Sequence, residues 1–497
     1  MFPSRRLERI GRSVGRGHGW ILAAIVGLAA AVRWSFLQQM DVPFFDPWRH
    51  LQLIENLRAG LGFTLFDGQP YLWYSPVWYA LCAALPSGLG AQWPAAVLSV
   101  LSVALLYAFL HMTATEHKTR VAAAGALLMA AFGPVIAFTC HYGSESFALF
   151  LMLAALVVCA RSAGALSAVI GGVLLGTALV SRMNFAFNLL LFLPLLRTFR
   201  RGLAFAAGLA APMALTFWRN ARTIHDYPYI FSWDGLATRS EDYSLLSTLV
   251  VQMQDSAQEA IRRFCERLLP GPEWLAHWEL VLFVVCAGMF LVLSRRLSLI
   301  LTGSLTVVYF LSMDRSLISN FFRINLALFP VLFMGIAVVV GSLHRRGWKP
   351  ALAGWGMVAL ALFAGAGHLT PKLMYPLEDV TPPPELLSEK AYMVTSGFYQ
   401  PESLIYRFPD KRFVGMPLDP EDFEDFRSHY SDYEYILWHG FGVQDELGRY
   451  LVESGKYEIV RAAENMYGRT YVVFRERSVD AEPRIGWDDI RPAGYTP

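Results

Sequence analysis

Ser75-Pro76-Val77-Trp78-Tyr79-Ala80-Leu81-Cys82-Ala83-Ala84-Leu85-Pro86-Ser87-Gly88-Leu89-Gly90 decides how everything after it is threaded. The run is apolar, yet Pro86 and two glycines interrupt it, Trp73 and Tyr74 lead into it, and Trp78 and Tyr79 lie within it. Aromatic rings with one polar edge collect where membrane meets water, so the segment is expected to lie along or dip into the outer face without crossing. Outward from it, apolar stretches near the ~20-residue spanning length begin around Trp20, Trp93, Val121, Glu145, Leu166, Asn184, Gly202, Trp278, Leu297, Phe322 and Ala351, about eleven spans.

With that segment kept on one side, every second connection is basic. Lys118 and Arg120, then Arg161, then Arg197, Arg200 and Arg201, then Arg295 and Arg296, and finally Arg345, Arg346 and Lys349 fall on the face of the N-terminal Arg5, Arg6, Arg9, Arg12 and Arg16. Basic loops stay cytoplasmic, which assigns the N-terminus and all of these to the cytoplasm. Counting 75–90 as a crossing would invert the later loops and break the rule. No small-residue cleavage site follows the first span, so it reads as an anchor and not a signal peptide.

Composition sets the same class. Apolar residues make up 55% of the 497 and charged residues only 16%, where a soluble chain carries ~25%. The net charge of +2 says little by itself, and no nucleic acid is expected as a partner. Five cysteines without a C-x-x-C spacing give neither a disulfide framework nor a thiolate metal site. The chain is expected to be a polytopic α-helical protein of an inner or plasma membrane. A basic cytoplasmic N-terminus, 1–19, precedes a transmembrane region, 20–369, with outer loops 38–92 and 219–273. The tail, 370–497, is expected to be a small extracytoplasmic α/β domain. Its short strands are read at Tyr392–Thr395, Arg412–Val414, Tyr433–Trp438, Glu458–Val460 and Thr470–Phe474, with helices at Pro420–Ser428 and Val443–Ser454.

Most acidic residues fall on the outward pieces, so any chemistry belongs there. Phe45-Asp46-Pro47-Trp48 puts a carboxylate at the mouth of the membrane region, where charge is costly and usually functional. Asp46-Pro47 also fits an ordinary helix N-cap followed by a proline at the first helical position. The helix it opens, with Leu51, Ile54 and Leu57 on one face and a stop at Gly60 and Gly62, would present Asp46, Arg49 and His50 to a cavity. The second outer turn is His141-Tyr142-Gly143-Ser144-Glu145. Glu145 there is favoured by the helix dipole whatever its chemistry. Asp46 with Glu145, and His141 as a further ligand, supply what a divalent cation such as Mg or Mn takes. Arg323 opens a span at the outer surface, placed either to snorkel to the headgroups or to clamp a lipid phosphate. Arg182, between two spans on the same side, is a weaker candidate for that clamp.

These motifs, in this order, resemble the GT-C superfamily of membrane glycosyltransferases and, within it, the catalytic subunit of oligosaccharyltransferase. Phe45-Asp46-Pro47-Trp48 looks like that family's first acidic motif, and Gly143-Ser144-Glu145-Ser146-Phe147-Ala148-Leu149-Phe150 is similar to its second. Arg323 with Phe329-Pro330 resembles its late-span arginine that meets the donor phosphate. The resemblance implies transfer of a sugar or oligosaccharide from a polyprenyl-phosphate or polyprenyl-diphosphate donor to an extracytoplasmic glycan, lipid or protein. Asp46 would be the catalytic residue. The tryptophan–aspartate signature for an asparagine acceptor has a partial echo at Ser232-Trp233-Asp234-Gly235, in the long loop before the last four spans, so oligosaccharyl transfer to asparagine stands as one alternative. A flippase for lipid-linked glycans stands as another, although the acids sit at span ends and no internal repeat suggests two related halves.

Overall fold

The computed structural model of this chain describes residues 16–39, 47–239, 325–366 and 392–477, with short interruptions inside these ranges. Asp46, His141, Arg323 and the expected spans from Trp278 and Leu297 lie outside the described residues. The chain divides into two compact units, Met1–Asp41 with Ser87–Phe217 and Val250–Pro371, and Val42–Pro86 with Trp218–Leu249 and Lys372–Pro497.

The first unit is helical. Helix α1 (Arg16–Gln38) packs on α4 (Gln92–Thr113) and α5 (Lys118–Ala131), α4 also on α7 (Glu145–Arg161), and α7 on α8 (Ala165–Ser181). Helix α11 (Phe329–His344) lies against α5 and α12 (Trp348–Gly365). Among the described residues three helical stretches are long and apolar enough to cross a membrane: His18–Gln38, Gln92–Thr113 and Leu326–His344. The apolar part of the last is 83% buried against 22% for the first, so α11 is central and α1 turns Trp20, Leu28 and Trp34 outward as a lipid-facing helix does. Gly172 and Gly208 let α8 touch α10 (Phe199–Asp226) backbone to backbone; a Cβ would come within 2.2 Å of the Phe205 carbonyl at the first and 2.3 Å of the Val169 carbonyl at the second.

Two expected spans take a different form. The one from Val121 is broken into α5 and α6 (Gly133–Thr139), bent by 59°. Pro134 causes the break, because it has no N–H for the Ala130 carbonyl and its ring crowds that turn, leaving Phe132 extended. The one from Asn184 is a 3-10 helix, Met183–Phe192, ending in a single α-turn, α9 (Leu193–Leu196).

In the second unit, α2 (Pro47–Arg58) packs on α3 (Val77–Ala83). At seven residues α3 rises only about 10 Å, a third of the ~30 Å hydrocarbon core. A two-stranded hairpin, β1 (Tyr229–Phe231) with β2 (Ala237–Arg239), follows α10. The tail contributes a five-stranded mixed sheet of order β4-β3-β5-β7-β6. β3 (Tyr392–Ser396) is parallel to β4 (Arg412–Met416) and β5 (Tyr435–His439), while β7 (Thr470–Glu476) runs antiparallel to β5 and to β6 (Tyr457–Glu464). Helices α13 (Pro420–His429) and α14 (Asp445–Glu453) bury Phe423, Phe426, Leu447 and Leu451.

Candidate active site

Helix α2 starts at Pro47, directly after Asp46, and ends before Gly60 and Gly62, whose φ of +76° and +83° only glycine adopts freely. Leu53 and Ile54 are its fully buried positions. His50, expected to face a cavity, is instead buried against α3: its Nδ1 is 2.7 Å from the Tyr79 hydroxyl and the rings stack at 5.5 Å. Arg58 caps the far end of α3, donating to the carbonyls of Cys82 (3.1 Å), Ala83 (3.4 Å) and Leu85 (3.2 Å). Arg219 lies over the Phe63 ring and donates to the Tyr71 carbonyl at 3.1 Å, and Asn220 donates to the Leu72 carbonyl at 3.1 Å. The loop that follows Asp46 is thereby fixed to the end of α10.

The second acidic motif is held in the first unit. Glu145 is the first residue of α7 and only 2% exposed. Its carboxylate is ion-paired with Arg182, the residue at which α8 ends. Ser144 makes no cap for its own helix; its hydroxyl donates across to the Ser181 carbonyl at 3.1 Å. The start of α7 and the end of α8 are therefore joined by one ion pair and one hydrogen bond. From the 3-10 helix that follows Arg182, Asn188 donates to the Ala327 carbonyl at 2.9 Å. This brings the chain just after Arg182 onto Asn325–Leu328, just downstream of Arg323.

Of the residues expected in the site, Glu145 and Arg182 meet, as metal ligand and phosphate clamp respectively had not suggested. Among the described residues no three His, Cys, Asp or Glu side chains converge as metal ligands. The one placed member of the expected cation set is Glu145, and a guanidinium already balances its charge.

The hairpin of the long loop binds the tail helix α13. The Tyr229 hydroxyl donates to Asp425, Arg239 lies 3.3 Å from Asp425 and 3.6 Å from Asp422, and the Tyr229 ring meets Phe426 and His429 edge-on. Hydrogen bonding from Tyr229 first, with the charges of Arg239 and His429, holds the Asp425 carboxyl below the usual carboxylate range against the opposing effect of burial. The Tyr229 hydroxyl is pushed up, by burial first and then by Asp425.

Neither a family model nor a curated protein matches this sequence. Solved structures do. The apo oligosaccharyltransferase of Archaeoglobus fulgidus is 12% identical, with 84% of this chain and 69% of that chain covered at a TM-score of 0.50. The same enzyme, AglB, with an inhibitory peptide and a dolichol-phosphate is 13% identical over 84% and 69%, with a TM-score of 0.44. Apo ArnT from Cupriavidus metallidurans is 14% identical over 92% and 98%, with a TM-score of 0.45. At such identities the likeness is one of fold alone: the chain shares the fold of the Archaeoglobus fulgidus oligosaccharyltransferase, and its long apolar helices are those of an integral membrane protein.

Proposed function

We propose that the chain is a glycosyltransferase that moves a sugar from a polyprenyl-phosphate or polyprenyl-diphosphate carrier to an acceptor outside the cytoplasm. The observation that carries this reading is the buried Glu145–Arg182 pair joining two apolar helices in a fold shared with an oligosaccharyltransferase. Charges in such a place are kept for work. The neighbouring AglB has been captured with dolichol-phosphate, a lipid phosphate of the class this reading requires. An outward-facing site has no nucleotide sugars at hand, so a lipid-linked donor is its supply.

In the reaction the acceptor's nucleophilic atom attacks the anomeric carbon, the bond from that carbon to the phosphate oxygen breaks, and the acceptor proton passes to Asp46 as general base. The electron pair leaves on the phosphate. Arg323 meets that charge, and Arg182, oriented by Glu145, adds a second guanidinium. The tail is proposed to face the acceptor.

The test is transfer by purified protein from radiolabelled polyprenyl-phosphate and polyprenyl-diphosphate sugars, with and without EDTA, beside Asp46→Asn. Transfer by the wild type and its loss in the folded variant are expected; normal transfer by Asp46→Asn would sink the assignment. Tight donor binding without transfer to any acceptor, asparagine peptides included, would favour a flippase. The EDTA arm reports on a cation held at Asp46 or His141.

A further inference from the structure

Arg33 is fully buried in α1, inside the first membrane helix, and among the described residues its guanidinium donates to neutral groups. Nη1 donates to the Ala130 carbonyl at 2.9 Å and to Ala29 at 3.2 Å, Nη2 to the Met129 carbonyl at 3.1 Å, and Nε to the Ser99 hydroxyl at 2.7 Å. Among the described residues no carboxylate pairs with it. A charge in this position is costly in lipid, and plain anchoring of a helix would not require it.

The acceptors it chooses explain its presence. In an unbroken helix the carbonyl of Ala130 would take the N–H of residue 134, and that of Met129 the N–H of residue 133. Residue 134 is proline and has none, and the 59° bend turns Gly133 away into the next helix. Both carbonyls are left at the end of α5, where the helix dipole is negative and a cation is favoured. Arg33 supplies two donors and the positive charge together. Its bond to Ser99 continues the network: Ser99 is 2.6 Å from the Thr139 hydroxyl, and Thr139 donates back to the Val135 carbonyl at 2.5 Å. Thr139 is the last residue of α6. The network therefore holds the first half of the broken span by its carbonyls and the second half by its final side chain. Five residues past Thr139 the chain reaches Ser144, and Glu145 follows.

We propose that Arg33 is a positioning residue: it fixes the bend of the broken span and so sets where the second acidic turn, with Glu145 and its partner Arg182, is presented. The proposal rests on the glycosyltransferase reading for its activity readout alone. It gives Arg33 no contact with substrate, only control of a geometry in which displacement by about 1 Å costs on the order of a hundredfold in rate.

The experiment uses the full-length protein in nanodiscs as wild type, Arg33→Met, Arg33→Lys, and the pair Arg33→Met with Pro134→Ala. Each is read by melting temperature, by hydrogen exchange over residues 128–145, and by kcat and KM for the lipid-linked donor. Arg33→Met should melt lower, exchange faster over 128–145, and lose on the order of a hundredfold in kcat with little change in donor KM. Lysine lacks the fork that serves two carbonyls and a hydroxyl, so it should rescue little. Alanine at 134 returns an N–H to the Ala130 carbonyl and relaxes the bend. The double variant should thus regain melting temperature and protection while kcat stays low. Recovery of kcat as well would overturn the positioning role and leave Arg33 as a carbonyl cap. Unchanged exchange over 128–145 in Arg33→Met would overturn the proposal outright. If the wild type transfers no sugar, the function is wrong, and exchange and melting still judge Arg33.

Discussion

Glu145 meets Arg182 across 37 positions of chain, and neither residue's neighbours in sequence announce the other. Each carries a local explanation, Glu145 at a helix start and Arg182 at a helix end, and only packing of α7 on α8 shows that one neutralises the other. Removing one member should take away a charge that balances the other in a buried place. Arg182→Gln is expected to destabilise the detergent-solubilised protein by about 3–5 kcal/mol, whereas replacing both with apolar residues should cost far less. A denaturant titration of the three proteins decides it; equal midpoints for wild type and Arg182→Gln would mean that the pair contributes nothing. His50 is a parallel case. The sequence places it beside Asp46, and its orientation comes from Tyr79 of a segment whose helical character is a single short stretch. Tyr79→Phe removes the hydroxyl from His50 and should cost about 1 kcal/mol by the same titration. Arg33 was illegible for a related reason: it is a lone arginine in an apolar run, and its partners other than Ala29 lie 66 to 97 positions away.

At the scale of elements, legibility followed the strength of the local pattern. The starts of β3 at Tyr392, β4 at Arg412 and β7 at Thr470 agree with the alternation of apolar residues, and α7 begins at Glu145 where the dipole favours an acid. Pro134 was visible in the Val121 run, yet apolar length outweighed it in the reading. The hairpin β1–β2 left no periodic trace, since strands of three residues are too short for one and its support is a helix 196 positions on. That support titrates. Asp425 is held low by Tyr229, Arg239 and His429. Burial would raise Glu424, but hydrogen bonds from Tyr450 and Lys456 and the nearby Arg427 bring it below its ordinary value. A carboxyl depressed on folding stabilises above its unfolded pKa, ~3.9 for Asp and ~4.3 for Glu, and that contribution is lost as pH falls through the folded value. Hydrogen exchange over 229–239 and 420–429, corrected for intrinsic rate, should therefore be slow at pH 6 and faster near pH 3. Asp425→Asn should bring the faster exchange of 229–239 to pH 6; equal protection in both proteins would show that the hairpin is held some other way.

For the molecule as a whole, the informative fact is which pieces share a unit. Val42–Pro86, Trp218–Leu249 and Lys372–Pro497 form one compact body. Basic-loop counting had set the first outer loop, the long loop and the tail on one face of the membrane, and only if Ser75–Gly90 does not cross. If it crossed, the residues after Asp46 would be divided by the bilayer from the end of α10. Arg219 and Asn220 could not then reach the carbonyls of Tyr71 and Leu72, and the seven-residue α3 is in any case too short for a span. Those contacts support keeping 75–90 on one face, and which face that is stands as a proposal. The test is to place reporters that distinguish the two faces, a single accessible cysteine or a phosphatase fusion, at Ala59, Gly164 and the tail. Ala59 and the tail should report the extracytoplasmic face and Gly164 the cytoplasm. Ala59 and the tail on opposite faces would divide the second unit and overturn its contacts. All three reversed together would keep the fold and turn the proposed active site toward the cytoplasm, where nucleotide sugars are available and the argument for a lipid-linked donor would fail.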